Sequence, residues 1–170
     1  MAKNVRQSGT RPYARNIHST PAQTEQNTIN FNYLSTTEDT AGQLTVSETI
    51  IQQGMEPPPH THTREDEAFY VLEGSITFYV DNQPIPASAG SFVWLPRNLQ
   101  HSFVIHSQTA RVLVLIMPAG LERYFTLMGQ LLQQEHVQPG YLPPAAAQKW
   151  QELSQQFGIT LNFAAMHEDQ

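Results

Sequence analysis

The stretch GMEPPPHTHTREDEAFYVLEG, Gly54 to Gly74, decides how this chain is read. Between its two glycines it holds two histidines, a run of acids and an apolar strand signal. His60 and His62 are two residues apart, so in an extended strand both imidazoles lie on one face. Glu65, Asp66 and Glu67 follow, the last at the entry to the apolar run Phe69 to Leu72. Pro57, Pro58 and Pro59 keep the approach to His60 extended, with few conformations to lose on folding. A second stretch, GSFVWLPRNLQH from Gly90 to His101, supplies a third histidine after another strand and a Pro-containing turn. If these strands are neighbours, three imidazoles and a carboxylate converge on one divalent ion. Such donors suit iron, manganese, nickel, cobalt, copper or zinc. Four protein ligands leave one or two positions for water, a chelating substrate or dioxygen, and an open position separates catalytic sites from closed structural ones.

On either side of these stretches the pattern is that of short strands. Phe31 and Tyr33 share a face. Thr36 to Gly42 reads as a polar turn, and Leu44 to Ile51 alternates as a strand with one buried face. Ile76, Phe78 and Val80 alternate with polar or aromatic residues, and Asp81-Asn82 marks a turn. His101, Phe103 and Ile105 fall on one strand face. Arg111 to Met117 is nearly continuous in apolar residues, the expectation for a strand buried on both sides. Seven or more short strands with regular turn signals indicate a small antiparallel barrel or sandwich. At Pro118 the period changes. Leu121, Tyr124, Phe125, Met128, Leu131 and Leu132 predict an amphipathic helix to about Gln134. Pro143-Pro144 opens a second helix with Ala147, Trp150, Leu153 and Phe157 on one face, and Gly158 stops it. Ile159 to Phe163 reads as a last strand.

The whole chain sets the bounds. Its 170 residues suffice for one domain with a full core. With 15 acids against 9 bases and a net charge of −6, neither nucleic acid nor an anionic membrane is the expected partner. No apolar run approaches the roughly 18 residues of a membrane span. Cysteine is absent, so thiol catalysis and disulfides are excluded. Residues 1–28 are basic and polar, without the apolar segment of a secretory signal, and are read as a flexible or dimer-crossing arm. An organelle-targeting peptide is the competing reading, and a cytoplasmic location is expected. Residues 29–117 are assigned to the barrel and 118–170 to a helical extension of the same domain.

Gly54, five residues, His60, one residue, His62, four residues, Glu67, six residues and Gly74 reproduce the first motif of the cupin superfamily. Gly90, five residues, Pro96, one residue, Asn98, two residues and His101 resemble the second. Asn98 stands where that motif has Gly, a mild departure because Asn tolerates the left-handed conformation. Ile105 stands where the motif often ends in Asn, at the cost of a framework hydrogen bond but no ligand. The resemblance implies an all-β, double-stranded β-helix (the jelly-roll or cupin barrel), here with two C-terminal helices packed on it, and a homodimer. It also implies that His60, His62, Glu67 and His101 hold one divalent transition metal. Arg64, Glu65 and Asp66 are then left as a solvated rim. Around EDEAFYVLEG and PAGLERYF the chain is similar to single-domain cupins of the quercetin 2,3-dioxygenase-like group.

That group implies a dioxygenase-like oxidoreductase acting on a small aromatic or enolisable substrate that chelates the metal. Glu67 would serve as ligand and as the catalytic base. Two alternatives share the ligand set: a metal-assisted isomerase, hydrolase or decarboxylase, and a non-catalytic small-molecule-binding cupin. The remaining histidines, His18, His106, His136 and His167, are expected at the surface, His106 by strand parity on the face away from the pocket. Phe69, Phe92, Trp94, Phe103 and Met117 are read as core, with Phe103 and Tyr33 the candidates for pocket wall.

Overall fold

A computed structural model describes residues 11–16, 29–138 and 141–167. Most of the 1–28 arm lies outside the described residues. Residues 11–16 are exposed and without regular structure, and Arg15 donates to Asp39 Oδ2 at 2.8 Å and to the Leu34 carbonyl at 3.2 Å.

Among the described residues, ten strands make two five-stranded sheets. The first contains β1 (Ile29–Ser35), β2 (Thr45–Gln52), β9 (Thr109–Met117), β4 (Asp66–Glu73) and β7 (Phe92–Leu95), in that spatial order. The second runs β10 (Ile159–Leu161), β3 (His60–His62), β8 (His101–Ile105), β5 (Ser75–Val80) and β6 (Gln83–Ser88). All the pairings are antiparallel. This is the expected jelly-roll architecture. Alternation dictates the core, because successive side chains point to opposite faces. Ile76 and Phe78 on β5, Phe103 and Ile105 on β8, Phe69 and Val71 on β4 and Val112, Val114 and Ile116 on β9 all turn inward. Phe69, Phe78 and Phe103 meet across the two sheets with ring centroids 5.1 to 5.8 Å apart.

Two expectations need correction. Strand β9 is buried on one face only: Arg111, Leu113, Leu115 and Met117 are half-exposed. Phe92 (59% exposed) and Trp94 (45%) point outward, because Val93 and Leu95 occupy the inner positions of β7. On β2 the buried face is the hydroxyl-bearing one, Thr45, Ser47 and Thr49 with Ile51. These hydroxyls find partners inside, Thr45 Oγ1 donating to Glu122 at 2.8 Å and Ser47 lying 3.2 Å from Thr49 Oγ1, so their burial leaves no lost hydrogen bond.

The helices close one side of the barrel. A single turn, α1 (Thr37–Thr40), replaces the expected loop, and α2 (Glu122–Gln134) and α3 (Pro144–Gln156) match the predicted pair. The Glu122 carboxylate fixes the start of α2 by accepting from Thr37 N at 2.6 Å as well as from Thr45. Phe125 stacks on Phe31 of β1 at 4.4 Å. Tyr124, Trp150 and Ser154 tie the two helices together: Trp150 Nε1 donates to the Tyr124 hydroxyl at 3.0 Å, which lies 3.0 Å from Ser154 Oγ. No helix among the described residues is long and apolar enough to cross a membrane.

Two glycines are required by their surroundings. Gly74 has φ +97°, and a Cβ there would stand 2.8 Å from the Thr109 carbonyl. Gly158 has φ +77°, and a Cβ there would meet Thr63 Oγ1 at 2.6 Å. Asn98 adopts φ 66°, the left-handed conformation expected of it.

Candidate metal centre

Pro57 to Pro59 lead the chain into β3, whose inward face carries both His60 and His62. The neighbouring strand β8 pairs His60 directly with His101. The carboxylate arrives from across the barrel, since Glu67 is the second residue of β4 in the opposite sheet. The site therefore bridges the two sheets and does not lie along one pair of strands. All four side chains are buried, and one donor atom from each lies within 4.8 Å of the others. Glu67 Oε2 is 3.4 Å from His101 Nε2 and 3.8 Å from His62 Nε2. The imidazoles of His60 and His101 are 4.4 Å apart, and those of His62 and His101 are parallel within 3°.

The ring orientations are set from behind. His60 Nδ1 lies 2.9 Å from the Pro58 carbonyl and His101 Nδ1 lies 3.1 Å from that of Leu99. Each carbonyl accepts the Nδ1 proton, which leaves Nε2 as a free lone pair toward the cluster. His101 Nε2 is buried and has no hydrogen-bond partner. A buried polar atom without a partner is costly, and a cation bound between the four donors relieves it. The donor set, three imidazole nitrogens and one carboxylate, fits a divalent first-row ion.

Electrostatics agree. Burial pushes the Glu67 carboxyl up, but the imidazoles of His62 and His101 outweigh it and hold its pKa at about 2. Burial, reinforced by His101 and His62, lowers His60 to about 3. Burial opposes charge on His62 too, yet Glu67 and then Glu65 prevail and raise it above the ordinary histidine value. Without a metal ion, the cluster thus combines an ionised carboxylate with a neutral His60.

The cluster opens on a cavity of about 70 Å³ whose other walls are apolar, among them Phe31, Phe69, Phe103, Tyr124, Met128 and Trp150. Phe69 and Phe103 are two of the aromatic residues that the sequence singles out. The contribution of α2 and α3 was not singled out, because Tyr124, Met128 and Trp150 carry the same 3.6-residue signal as any packed helix face. Tyr33 is buried against Phe31, at a ring distance of 6.2 Å, and does not line the cavity. The acidic rim divides. Asp66 forms an ion pair with Arg97 at 2.6 Å, whereas Glu65 is buried, not solvated. His106 faces outward and lies 2.8 Å from Thr77 Oγ1, and His136 is exposed. His18 and the side chain of His167 lie outside the described residues.

Residues 47–117 match the cupin-domain family. Among characterised proteins, quercetin 2,3-dioxygenase of Bacillus subtilis (strain 168) is 30% identical over 92 residues, covering 54% of this chain and 27% of that protein. The enzyme of the same name from Aspergillus japonicus is 30% identical over 76 residues, 42% of this chain and 22% of the relative. The chain thus spans about a quarter of the length of these curated relatives. Solved structures show the same fold. KdgF from a Halomonas species superposes with a TM-score of 0.56 at 22% identity, over 65% of this chain and 96% of that one. An RmlC-like cupin from Shewanella frigidimarina NCIMB 400 gives 0.57 at 19% identity, over 67% and 96%. Over residues 47–117 the chain is thus similar to cupin domains, and by sequence it resembles the quercetin 2,3-dioxygenase-like group of that superfamily.

Proposed function

We propose that His60, His62, Glu67 and His101 hold one divalent transition metal, and that the protein is a dioxygenase-like oxidoreductase acting on a small chelating aromatic or enolisable compound. The observation that carries this reading is the meeting of four buried donors beside an otherwise apolar cavity. The bound ion would supply Lewis acidity to a substrate hydroxyl and a site for dioxygen chemistry. Everything else falls to the chain. His60 and His101 present Nε2 lone pairs fixed from behind by backbone carbonyls. Glu67, ionised throughout the working range, is a ligand and the acceptor for the substrate hydroxyl proton. The aromatic walls pack against a flat substrate, and the α2–α3 roof keeps bulk water from the reacting atoms. A cavity of about 70 Å³ holds only a few water-sized groups, which favours a substrate smaller than quercetin unless the roof moves.

The test starts with metal analysis of purified protein expressed with ample iron, manganese, nickel, cobalt, copper and zinc. About one ion per chain is expected in the wild type and under a tenth of that in His62→Ala. Equal content in the two proteins would place the ion elsewhere. Oxygen uptake is then followed with catechols and enolisable diketones. A product that forms equally well under anaerobic conditions moves the assignment to an isomerase, hydrolase or decarboxylase, and binding without turnover moves it to a binding protein.

The same proposal includes a homodimer, supported by the outer face of the first sheet. Two rows cross four strands there: Val46, Leu115, Ala68 and Trp94, then Glu48, Leu113, Tyr70 and Phe92. Seven of the eight are apolar or aromatic, and Tyr70, Phe92 and Trp94 are exposed. A continuous apolar sheet face of this kind is characteristic of an interface. Glu48, the one charged residue of the two rows, is paired with Arg111 at 3.0 Å, which suits a second copy of the same face.

A further inference from the structure

His62 differs from the other two histidines in what stands behind it. His60 and His101 rest their Nδ1 atoms on backbone carbonyls, as described above. Nδ1 of His62 has no hydrogen-bond partner, although it is buried. The nearest group is Glu65 Oε2, at 3.6 Å, which is also buried and also without a partner. A carboxylate taken from water without compensation is among the least favourable groups in a protein interior. The two orphaned atoms are complementary and face each other, a donor and an acceptor that satisfy one another once they close. The separation exceeds ordinary hydrogen-bond length, and closing it needs a shift of about half an ångström.

The backbone holds Glu65 in this place. The turn between β3 and β4 is pinned by Thr63, whose amide and hydroxyl both donate to the Gly158 carbonyl at 2.9 Å. On the other side, Asn98 N donates to the His62 carbonyl at 2.7 Å. Asp66, the next residue, is turned outward to Arg97. With both ends of the turn fixed, the side chain of Glu65 is directed inward, three residues after His62.

We propose that Glu65 is the positioning residue of the centre: its carboxylate accepts the Nδ1 proton of His62, fixes that imidazole in the tautomer with a free Nε2, and so completes a set in which every ligand histidine is anchored from behind. The inference rests on the metal reading above. It assigns Glu65 no contact with metal or substrate. A carboxylate behind a ligand histidine raises the basicity of the coordinating nitrogen, which a backbone carbonyl does less strongly. His62 would then be the most strongly donating of the three imidazoles.

Cobalt(II) affinity, measured by competition with a chromophoric chelator, tests this on wild type, Glu65→Gln and Glu65→Leu. Leu keeps the volume and removes the acceptor, and Gln keeps an acceptor oxygen. We expect affinity to fall 10- to 100-fold in Glu65→Leu and to return to within a few-fold of wild type in Glu65→Gln. The absorption bands of bound cobalt should shift in Glu65→Leu and be close to wild type in Glu65→Gln. Equal affinity in all three proteins overturns the role of Glu65 while leaving the metal centre intact. Absence of cobalt binding by the wild type overturns the metal reading itself, and this inference with it. A second measurement does not depend on the Leu variant folding. In zinc-loaded protein labelled with ¹⁵N-histidine, Glu65→Gln should displace one Nδ1–H resonance and leave the other two in place. An unchanged spectrum rules the contact out.

Discussion

Glu67 and His60 are perturbed in ways that bear on stability. The His60 pKa lies near 3, against an ordinary 6.5, because burial and two neighbouring imidazoles oppose its charge. In the metal-free protein the unfolded chain therefore takes up a proton below pH 6.5 that the folded chain refuses, and stability falls from there toward pH 3. Glu67, held at about 2 against 4.5, loses its contribution between those values, in the same direction. His62 is raised, so its contribution is complete below 6.5 and is lost as pH rises through its folded value. Together they predict that metal-free protein is most stable near pH 6.5. His60 alone costs about 3 kcal/mol by pH 4.5. Urea unfolding from pH 4 to 8 measures this, with His60→Asn as the control whose acid limb should flatten. A wild-type curve that rises steadily toward acid would contradict the burial of a neutral His60. At this scale the sequence was most informative. Motif spacing singled out His60, His62, Glu67 and His101, and the structure brings them together. Glu65 was misread because the sequence shows four consecutive charged residues after Thr63, Arg64 to Glu67, but not which of them turn inward. That depends on the pinned turn.

Among the elements, alternation and the 3.6-residue period located nearly all the strands and both long helices, because each buries one face. The failures share a cause. Strand β6 was not assigned in the sequence, where Pro84 and Pro86 interrupt any strand pattern, although an edge strand tolerates proline where no amide is needed for the ladder. The inward face of β2 carries hydroxyls, and the need for partners that only the folded chain provides cannot be seen locally. Helix α3 buries Ala146, Trp150 and Ser154, where the apolar pattern favoured Ala147, Trp150 and Leu153; the bond network with Tyr124 selects the observed face. The contact between the end of α3 and the β3–β4 turn gives this scale its prediction. Gly158→Ala forces a left-handed residue to carry a Cβ 2.6 Å from Thr63 Oγ1. A cost of about 1–3 kcal/mol is expected. At about 2–4 °C per kcal/mol for a chain of this size, thermal unfolding should show a clear drop. Because Thr63 follows His62, cobalt affinity should fall as well. A variant with wild-type Tm and affinity would mean that the turn is not held by this contact.

At the level of the whole molecule, the barrel was legible because the motifs and the alternation agree on it, while the proposed association of chains rests, in the sequence, on resemblance alone. Nothing in the sequence of β9 distinguishes a strand covered on both faces by its own chain from one whose outer face awaits another copy; both read as RVLVLIM. In the fold, the row from Val46 to Trp94 lies on the outer face of the first sheet. The two long helices pack instead over the cavity beside the four-donor cluster. If that face is a two-fold interface, one charge placed at its centre is repeated across the axis, so two charges are desolvated at each contact. Leu115→Glu should then shift the dimer dissociation constant upward by at least tenfold, read by light scattering coupled to gel filtration over a dilution series. Val104→Glu is the control, because Val104 is 42% exposed but lies on the outside of the other sheet. That variant should remain as dimeric as the wild type. The idea fails if wild-type protein runs as a monomer at high micromolar concentration, or if Val104→Glu dissociates the dimer and Leu115→Glu does not. Metal content should be unchanged in Leu115→Glu, since Leu115 points out of the barrel while its neighbour Val114 lines the cavity, and this separates loss of the interface from loss of the barrel.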